Sequence, residues 1–403
     1  MIYCKEDFGG DFKWGVSTAA YQVEGAFNAR GKGLSVWDVF SNTKGKIFEN
    51  QHGNIACDFY HRYATDIALM KQLNIPNFRF SLSWSRIFPN GIGTVNPDGI
   101  DFYNRVIDFC LELDIEPWIT LYHWDLPYEL EKKGGWTNRD IINWFGEYVA
   151  LCVRKFGDRV KHWMVLNEPM VFTGAGYFLG IHAPGKRGLN NFLSAAHHAA
   201  LCQAEGGRIL RSFSTGASIG TTFSCSLVEP LTDSDKDSLA AVRVDALLNR
   251  MFVEPLHGYG YPVNDLKLLQ RLEPYVKTND ERNLQFDMDF IGIQNYTREI
   301  VTASYLVPYV WAKLVKADKR NVEKTEMNWE VYPESIYKML HQFSKYKTPI
   351  LVTENGAAFE DVVVGREVND VARRAYLQQY IQQVLRGKVH PSLIVVPDLT
   401  HHH

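Results

Sequence analysis

Two glutamates stand in matching settings far apart in the chain, Glu168 in Val165-Leu166-Asn167-Glu168-Pro169 and Glu354 in Val352-Thr353-Glu354-Asn355-Gly356. Each closes a short, β-like apolar run. Two carboxyl groups brought face to face are the equipment for cutting a glycosidic bond. One gives a proton to the leaving oxygen while the other attacks the anomeric carbon or activates water, and their separation decides whether configuration is retained. The opposing reading, two surface glutamates at strand ends, weighs less because Asn precedes one and Asn-Gly follows the other. For acids so distant in sequence to converge, their strands must open onto one pocket. A parallel barrel does this by collecting its catalytic groups at the C-terminal ends of different strands.

The rest of the chain supplies such strands. Short apolar runs at 14–17, 77–84, 117–123, 163–168, 217–223, 290–296 and 350–354 alternate with amphipathic stretches at 58–73, 100–113, 139–156, 192–213 and 371–385, in which apolar residues recur three or four apart. This β-then-α rhythm predicts an α/β fold, a (β/α)8 TIM barrel. Asp98 and Asn138 stand in cap-like positions before two of the helices, and Gly157 follows the one ending at Phe156. No linker or low-complexity segment breaks the series, so residues 1–400 read as a single catalytic domain and His401-His402-His403 as an expression-tag remnant.

Composition narrows the partners. Forty-three basic and 46 acidic residues, interspersed, leave a formal net charge of −3, which offers no footprint for nucleic acid or an anionic membrane and suits a neutral small molecule. The start, Met1-Ile2-Tyr3-Cys4-Lys5-Glu6-Asp7, lacks the basic and apolar stretches of a secretory signal, and no run approaches membrane-spanning length, so the expectation is a cytoplasmic protein. Six scattered cysteines without metal-type spacing read as buried free thiols. His197-His198 lie mid-helix beside alanines with no acid at ligand spacing, which favours a packing or helix-surface role. No phosphate-cradling glycine motif follows a strand, and neither a metal nor an organic cofactor is expected.

Five motifs carry a resemblance. Asn167-Glu168-Pro169 and Thr353-Glu354-Asn355-Gly356 resemble the acid/base and nucleophile signatures of family 1 glycoside hydrolases. Phe12-Lys13-Trp14-Gly15-Val16-Ser17-Thr18-Ala19-Ala20-Tyr21-Gln22-Val23-Glu24-Gly25 is similar to that family's N-terminal signature, Tyr122-His123-Trp124-Asp125-Leu126-Pro127 to its third-strand motif, and Arg79-Phe80-Ser81-Leu82-Ser83-Trp84-Ser85-Arg86 adds another. The likeness runs from about residue 9 to about residue 386 and is nearest to the bacterial β-glucosidases.

The resemblance implies roles. Glu354 would be the nucleophile and Glu168 the acid and then the base, roles that demand opposite charge states, with Arg79 as the cation that keeps the nucleophile ionised. Asn167 would hold the sugar 2-hydroxyl, Gln22 and His123 the 3- and 4-hydroxyls, and Trp124 the floor of the sugar pocket. Tyr296 matches the tyrosine that hydrogen-bonds the nucleophile, whereas Gln294 stands where many relatives carry Asn. Trp329 resembles the aromatic platform of the leaving-group site, with core packing as its rival; Trp84 and Trp163 read as packing.

One departure stands out. After the helix at 371–385 the family continues with an eighth strand, a loop bearing sugar-binding Trp and Glu-Trp residues, and a last helix. Here the chain reads Gly387 to Thr400, in which 393–396 could at most substitute for the strand. The barrel is therefore expected to be incomplete at its C-terminus, to lack its last outer helix, and to expose apolar surface on its first and eighth strands, through which it would self-associate or become locally disordered. Loss of several charge-assisted hydrogen bonds at about 1.5 to 3 kcal/mol each implies weakened turnover, with activated aryl glycosides favoured over disaccharides. The reading is thus a retaining β-glucosidase acting on a small β-glycoside; the alternative is an impaired barrel that binds a sugar or a flat hydrophobic ligand.

Overall fold

A computed structural model describes residues 4–365 and 367–387 and the backbone of 394–397. The strands of the barrel are β1 (Lys13–Ser17), β2 (Asn77–Ser81), β3 (Glu116–Tyr122), β4 (His162–Asn167), β5 (Ser218–Ser224), β6 (Phe290–Gln294), β7 (Ile350–Asn355) and β8 (Ile394–Pro397). All pair in parallel in chain order, and β8 lies between β7 and β1 to close the ring.

The stretch that the sequence offers as a substitute eighth strand does close the ring, at 394–397. Lys13 pairs with Ile394 and Trp14 with Val395, while Val352 and Asn355 pair with Val395 and Pro397. Four residues suffice because the gap between β7 and β1 is one strand wide and needs only backbone donors and acceptors to fill it. The tag reading at 401–403 falls outside the described residues.

The outer helices include α1 (Phe59–Gln72), α2 (Pro97–Glu112), α3 (Ile141–Phe156), α4 (Leu189–Phe213), α5 (Asp235–Asp245), α6 (Glu334–Phe343) and α7 (Val371–Arg386). In α3 the predicted spacing sets Ile141, Phe145, Tyr148, Val149, Cys152 and Phe156 on one buried stripe. Tyr148 stacks on Trp84 with ring centroids 4.7 Å apart, and Trp84 and Trp163 are fully buried, as packing residues should be. Each such side chain contributes about 1.5–3 kcal/mol on leaving water.

The capping assignments need revision. Asn96 is the N-cap of α2, with Pro97 at its first position and Asp98 inside the first turn. Asp140 caps α3, and Asn138 acts one step earlier, its Oδ1 accepting from the Asp140 N–H at 2.9 Å. Gly157 does close α3. Cys110, Cys152, Cys202 and Cys225 are buried free thiols, whereas Cys4 and Cys57 are exposed. His197 and His198 are both buried. His197 joins Asp280 and Tyr261, each at 2.9 Å, and His198 meets the Trp136 carbonyl at 2.9 Å.

A second, small sheet had no counterpart in the sequence reading. Strand Arg298–Ala303 pairs in parallel with Leu227–Pro230 and antiparallel with Ala312–Leu314, and α5 covers it through Ala240 and Val244. It grows from the chain just beyond the C-terminal ends of β5 and β6, on the face where strand ends gather. Among the described residues no helix is long and apolar enough to cross a membrane, and no group of three or more His, Cys, Asp or Glu side chains is arranged to hold a metal ion.

Candidate active site

Every sequence-predicted site residue except Trp329 lies within, or a few residues beyond, the C-terminal end of a barrel strand. Arg79 is in the middle of β2, His123 and Trp124 leave β3, Asn167 ends β4 with Glu168 next, Tyr296 follows β6 by two residues, and Glu354 is the last but one residue of β7. β4 and β7 are three strands apart in a ring of eight, nearly opposite each other. Glu168 and Glu354 are 6% and 5% exposed, which removes the surface reading of both.

The backbone is irregular where the carboxylates stand. Pairing of β7 with β6 shifts register between Val352 and Glu354, and pairing of β4 with β5 shifts between Met164 and Asn167. Such bulges re-aim a side chain that strict alternation would point elsewhere. Glu168 has φ +46° and ψ +63°, and its N–H bonds the Thr222 carbonyl at 2.9 Å. Trp124 has φ +79°. Non-glycine residues in the left-handed region cost about 1–3 kcal/mol and persist only where their surroundings hold them. Pro169 contributes for Glu168, since a residue before proline avoids the right-handed helical region.

Arg79 organises the centre. It is 1% exposed, and its guanidinium pairs through Nη1 with Glu354 Oε1, donates from Nη2 to Asn167 Oδ1 at 2.6 Å and from Nε to Thr120 Oγ1 at 2.9 Å. Tyr296 donates its hydroxyl to Glu354 Oε2 at 2.6 Å. Both oxygens of one carboxylate are thus held, one by a fixed cation and one by a phenol. The carbonyl of Tyr296 is in turn gripped by the hydroxyls of Tyr376 and Tyr380 at 3.1 and 3.0 Å.

Asn167 is the next node. Its Oδ1 accepts from Arg79, from Gln294 Nε2 at 2.7 Å and from Thr222 Oγ1 at 2.9 Å, which fixes the amide so that Nδ2 faces His123 Nε2 at 3.1 Å. His123 Nε2 must then accept, and its proton sits on Nδ1, which finds no acceptor among the described residues. Burial pushes the His123 pKa down to about 4, an effect the Glu354 carboxylate opposes and the Arg79 charge reinforces. A neutral imidazole with a spare N–H is suited to a hydroxyl. Trp124 is half-buried and bonds the Asn167 carbonyl through its indole N–H at 2.8 Å.

The remaining predicted residues are more peripheral. Gln22 lies on the short helix Ala20–Val23 after β1 and is exposed. Trp329 is half-buried, its ring 5.3 Å from that of Tyr296 at an interplanar angle of 44°. Thr120, Met164, Thr222 and Gln294 join the network without having been predicted as site residues. The signal for Thr222, a polar residue near the end of an apolar run, was present but unspecific.

Comparison with known proteins places this arrangement. The model of glycosyl hydrolase family 1 matches residues 4–390. The chain is 40% identical to the 1,4-beta-D-glucan glucohydrolase of Thermotoga neapolitana over 93% of its own length and 88% of that protein's, and 40% identical to Beta-glucosidase A of Acetivibrio thermocellus over 95% and 86%. Its backbone superimposes on the solved β-glucosidase of Thermotoga maritima in complex with glucoimidazole with a TM-score of 0.91 at 38% identity, covering 96% of this chain and 89% of the other. A barrel of eight parallel strands, two buried glutamates at opposed strand ends and this likeness along nearly the whole chain leave one conclusion: the protein belongs to glycosyl hydrolase family 1.

Proposed function

We propose that the protein is a β-glucosidase that releases terminal β-D-glucosyl residues with retention of configuration. The observation that carries this reading is the clamp on Glu354, Arg79 on one oxygen and Tyr296 on the other, with Glu168 buried at the end of a nearly opposite strand. A carboxylate held in this way cannot rotate and presents its oxygens in one direction, as an in-line attack on an anomeric carbon needs.

In the first step Glu354 attacks the anomeric carbon, the bond to the leaving oxygen breaks, and Glu168 gives that oxygen its proton; in the second, Glu168 takes a proton from water, which displaces Glu354 from the sugar. Charge moves with the chemistry. Once Glu354 is esterified its negative charge is gone, and Glu168 faces no nearby anion when it must act as a base. Asn167 has one N–H left after His123 and offers it to the sugar 2-hydroxyl, while His123 Nδ1–H and Gln22 serve the 3- and 4-hydroxyls. Trp124 forms the floor of the sugar pocket and Trp329 the platform for the leaving group. Residues 1–400 act as one catalytic unit, and the four buried unpaired thiols suit a cytoplasmic location.

The test is hydrolysis of 4-nitrophenyl β-D-glucoside by the protein and its Glu354→Gln variant, with proton NMR of the first anomer released. Turnover lost in the variant and β-glucose appearing first support the reading. Turnover that survives the substitution, or α-glucose as first product, overturns it.

A further inference from the structure

Between Tyr296 and Pro333 the chain leaves the barrel, builds two strands of the small sheet and returns, and both ends of this excursion meet at Glu330. Glu330 is 4% exposed. Arg298 donates to it as a fork, Nε to Oε2 at 3.0 Å and Nη2 to Oε1 at 2.8 Å, and Arg320 Nη1 lies 2.6 Å from Oε2. The backbone is fastened too, since Thr297 Oγ1 donates to the Glu330 carbonyl at 2.9 Å. Arg298 extends the cluster outward, to Glu229 at 2.8 Å and over the Tyr332 ring at 3.8 Å from its centroid.

The neighbours in sequence give the cluster its meaning. Tyr296, one residue before Thr297, holds Glu354 Oε2. Trp329, one residue before Glu330, sits at the end of a turn in which the Thr325 N–H bonds the Trp329 carbonyl at 2.9 Å and Asn328 takes φ +58°. The joint of 297–298 with 330 therefore fixes the spacing between the phenol on the nucleophile and the indole beside it. Glu330 is buried and its two arginines are half-buried, their side chains 20% (Arg298) and 13% (Arg320) exposed; charges withdrawn from water in this way are a costly means of holding a sheet, for which apolar side chains would serve as well or better. A bidentate fork adds what apolar contact lacks, a defined direction.

We propose that Glu330 is a positioning residue that holds Trp329 at its working distance from Tyr296, so that the ion cluster sets how the leaving group, and not the sugar, is received. The inference rests on the β-glucosidase reading and deepens it. Misplacement of a substrate-facing group by an ångström lowers rates by up to about a hundredfold, and only for substrates that use that group. Glucosyl fluoride, which has no ring to lay on Trp329, is the internal control.

The experiment compares kcat/KM of the parent and Glu330→Gln on cellobiose, 4-nitrophenyl β-D-glucoside and β-glucosyl fluoride. The expected result is a loss of about tenfold on the first two and of about twofold or less on the fluoride. Equal losses on all three would show a general support of the fold, and no loss would show that the fork is dispensable; either overturns the proposal. If Glu330→Gln does not fold, Arg320→Lys, which keeps the charge but loses the planar donor, is put to the same comparison and decides by the same ratio. The two readings fail separately. A parent without glucosidase activity sinks the proposed function, whereas an active parent with uniform losses sinks only the role of Glu330.

Discussion

At its N-terminal end the barrel interior is filled by Trp118, Met164, Phe290 and Leu351; toward the C-terminal end the same four strands present Thr120, Asn167, Gln294 and Glu354. The lower layer is solved by shape. Gly220 on β5 leaves the space for the Phe290 ring, because a Cβ there would stand 2.4 Å from Phe290 Cε2. The upper layer is solved by counting donors and acceptors, with Arg79, Asn167 and Glu354 sharing one network. Met164 is the seam, its Sδ 3.0 Å from Arg79 Nε while its side chain packs with the lower cluster. Shape tolerates exchange among apolar groups, whereas a network with one member removed leaves a buried polar group unpaired. The two ends should therefore fail differently when mutated, the upper in rate as well as stability and the lower in stability alone.

The largest expected effect is at Glu354. Glu354→Gln keeps the shape but removes the attacking charge, and kcat on 4-nitrophenyl β-D-glucoside should fall by about 10⁴-fold or more. It also strands the Arg79 cation, so urea unfolding should show a loss of about 3–5 kcal/mol, the cost of breaking one side of a buried ion pair. Arg79→Met comes next. It removes the donors to Glu354, Asn167 and Thr120, and a fall in kcat of about 10²–10³-fold is expected, in the range of a lost preorganised donor. At the lower end, Phe290→Leu should cost about 1–3 kcal/mol in the same unfolding assay and leave kcat within about twofold. A rate loss in Phe290→Leu comparable to that of Arg79→Met would erase the distinction between the two ends.

The same distinction explains what the sequence disclosed. Strand exits, where polar residues interrupt apolar runs, pointed to Glu168 and Glu354, the likeness to family 1 pointed to Asn167, His123 and Arg79, and the strand rhythm announced the barrel. Thr120, Thr222 and Met164 went unnoticed because a barrel strand is buried on both faces, so alternation carries no information about which side chains point inward. Gln294 was noticed only as a departure from the common Asn; that its amide reaches Asn167 at 2.7 Å depends on a tertiary distance. Closure by β8 was underestimated because a four-residue strand has little local signal and is defined by its two neighbours. The small sheet was missed for a related reason, its strands being set by pairing across distant segments and by α5. The Asp98 and Asn138 assignments erred by two residues, the ordinary uncertainty of helix ends.

The smallest expected effect separates the two ends by salt. His123 at the upper end and His162 at the lower, stacked on Trp118 with ring centroids 3.7 Å apart, are both pushed down to about 4. Burial is the first cause in each, so in both cases the unfolded chain takes up a proton first and stability is lost as pH falls from about 6.5 toward 4. The second causes differ. His123 feels Glu354 and Arg79, which are buried beyond the reach of salt, whereas His162 feels Lys13 and Lys161, and its side chain is 24% exposed. Glu116, whose Oε1 is 3.9 Å from His162 Nε2, would steady an imidazolium but lies too far for a hydrogen bond. Raising ionic strength from 0.01 to 1 M contracts the Debye length from about 30 to 3 Å and should lift the lysine contribution. NMR titration of the imidazole protons at the two salt concentrations should therefore show His162 titrating higher in salt and His123 unmoved. Equal movement of both would mean that the upper site is as open to the solvent field as the lower rim, and that burial does not shield the Arg79 network from salt.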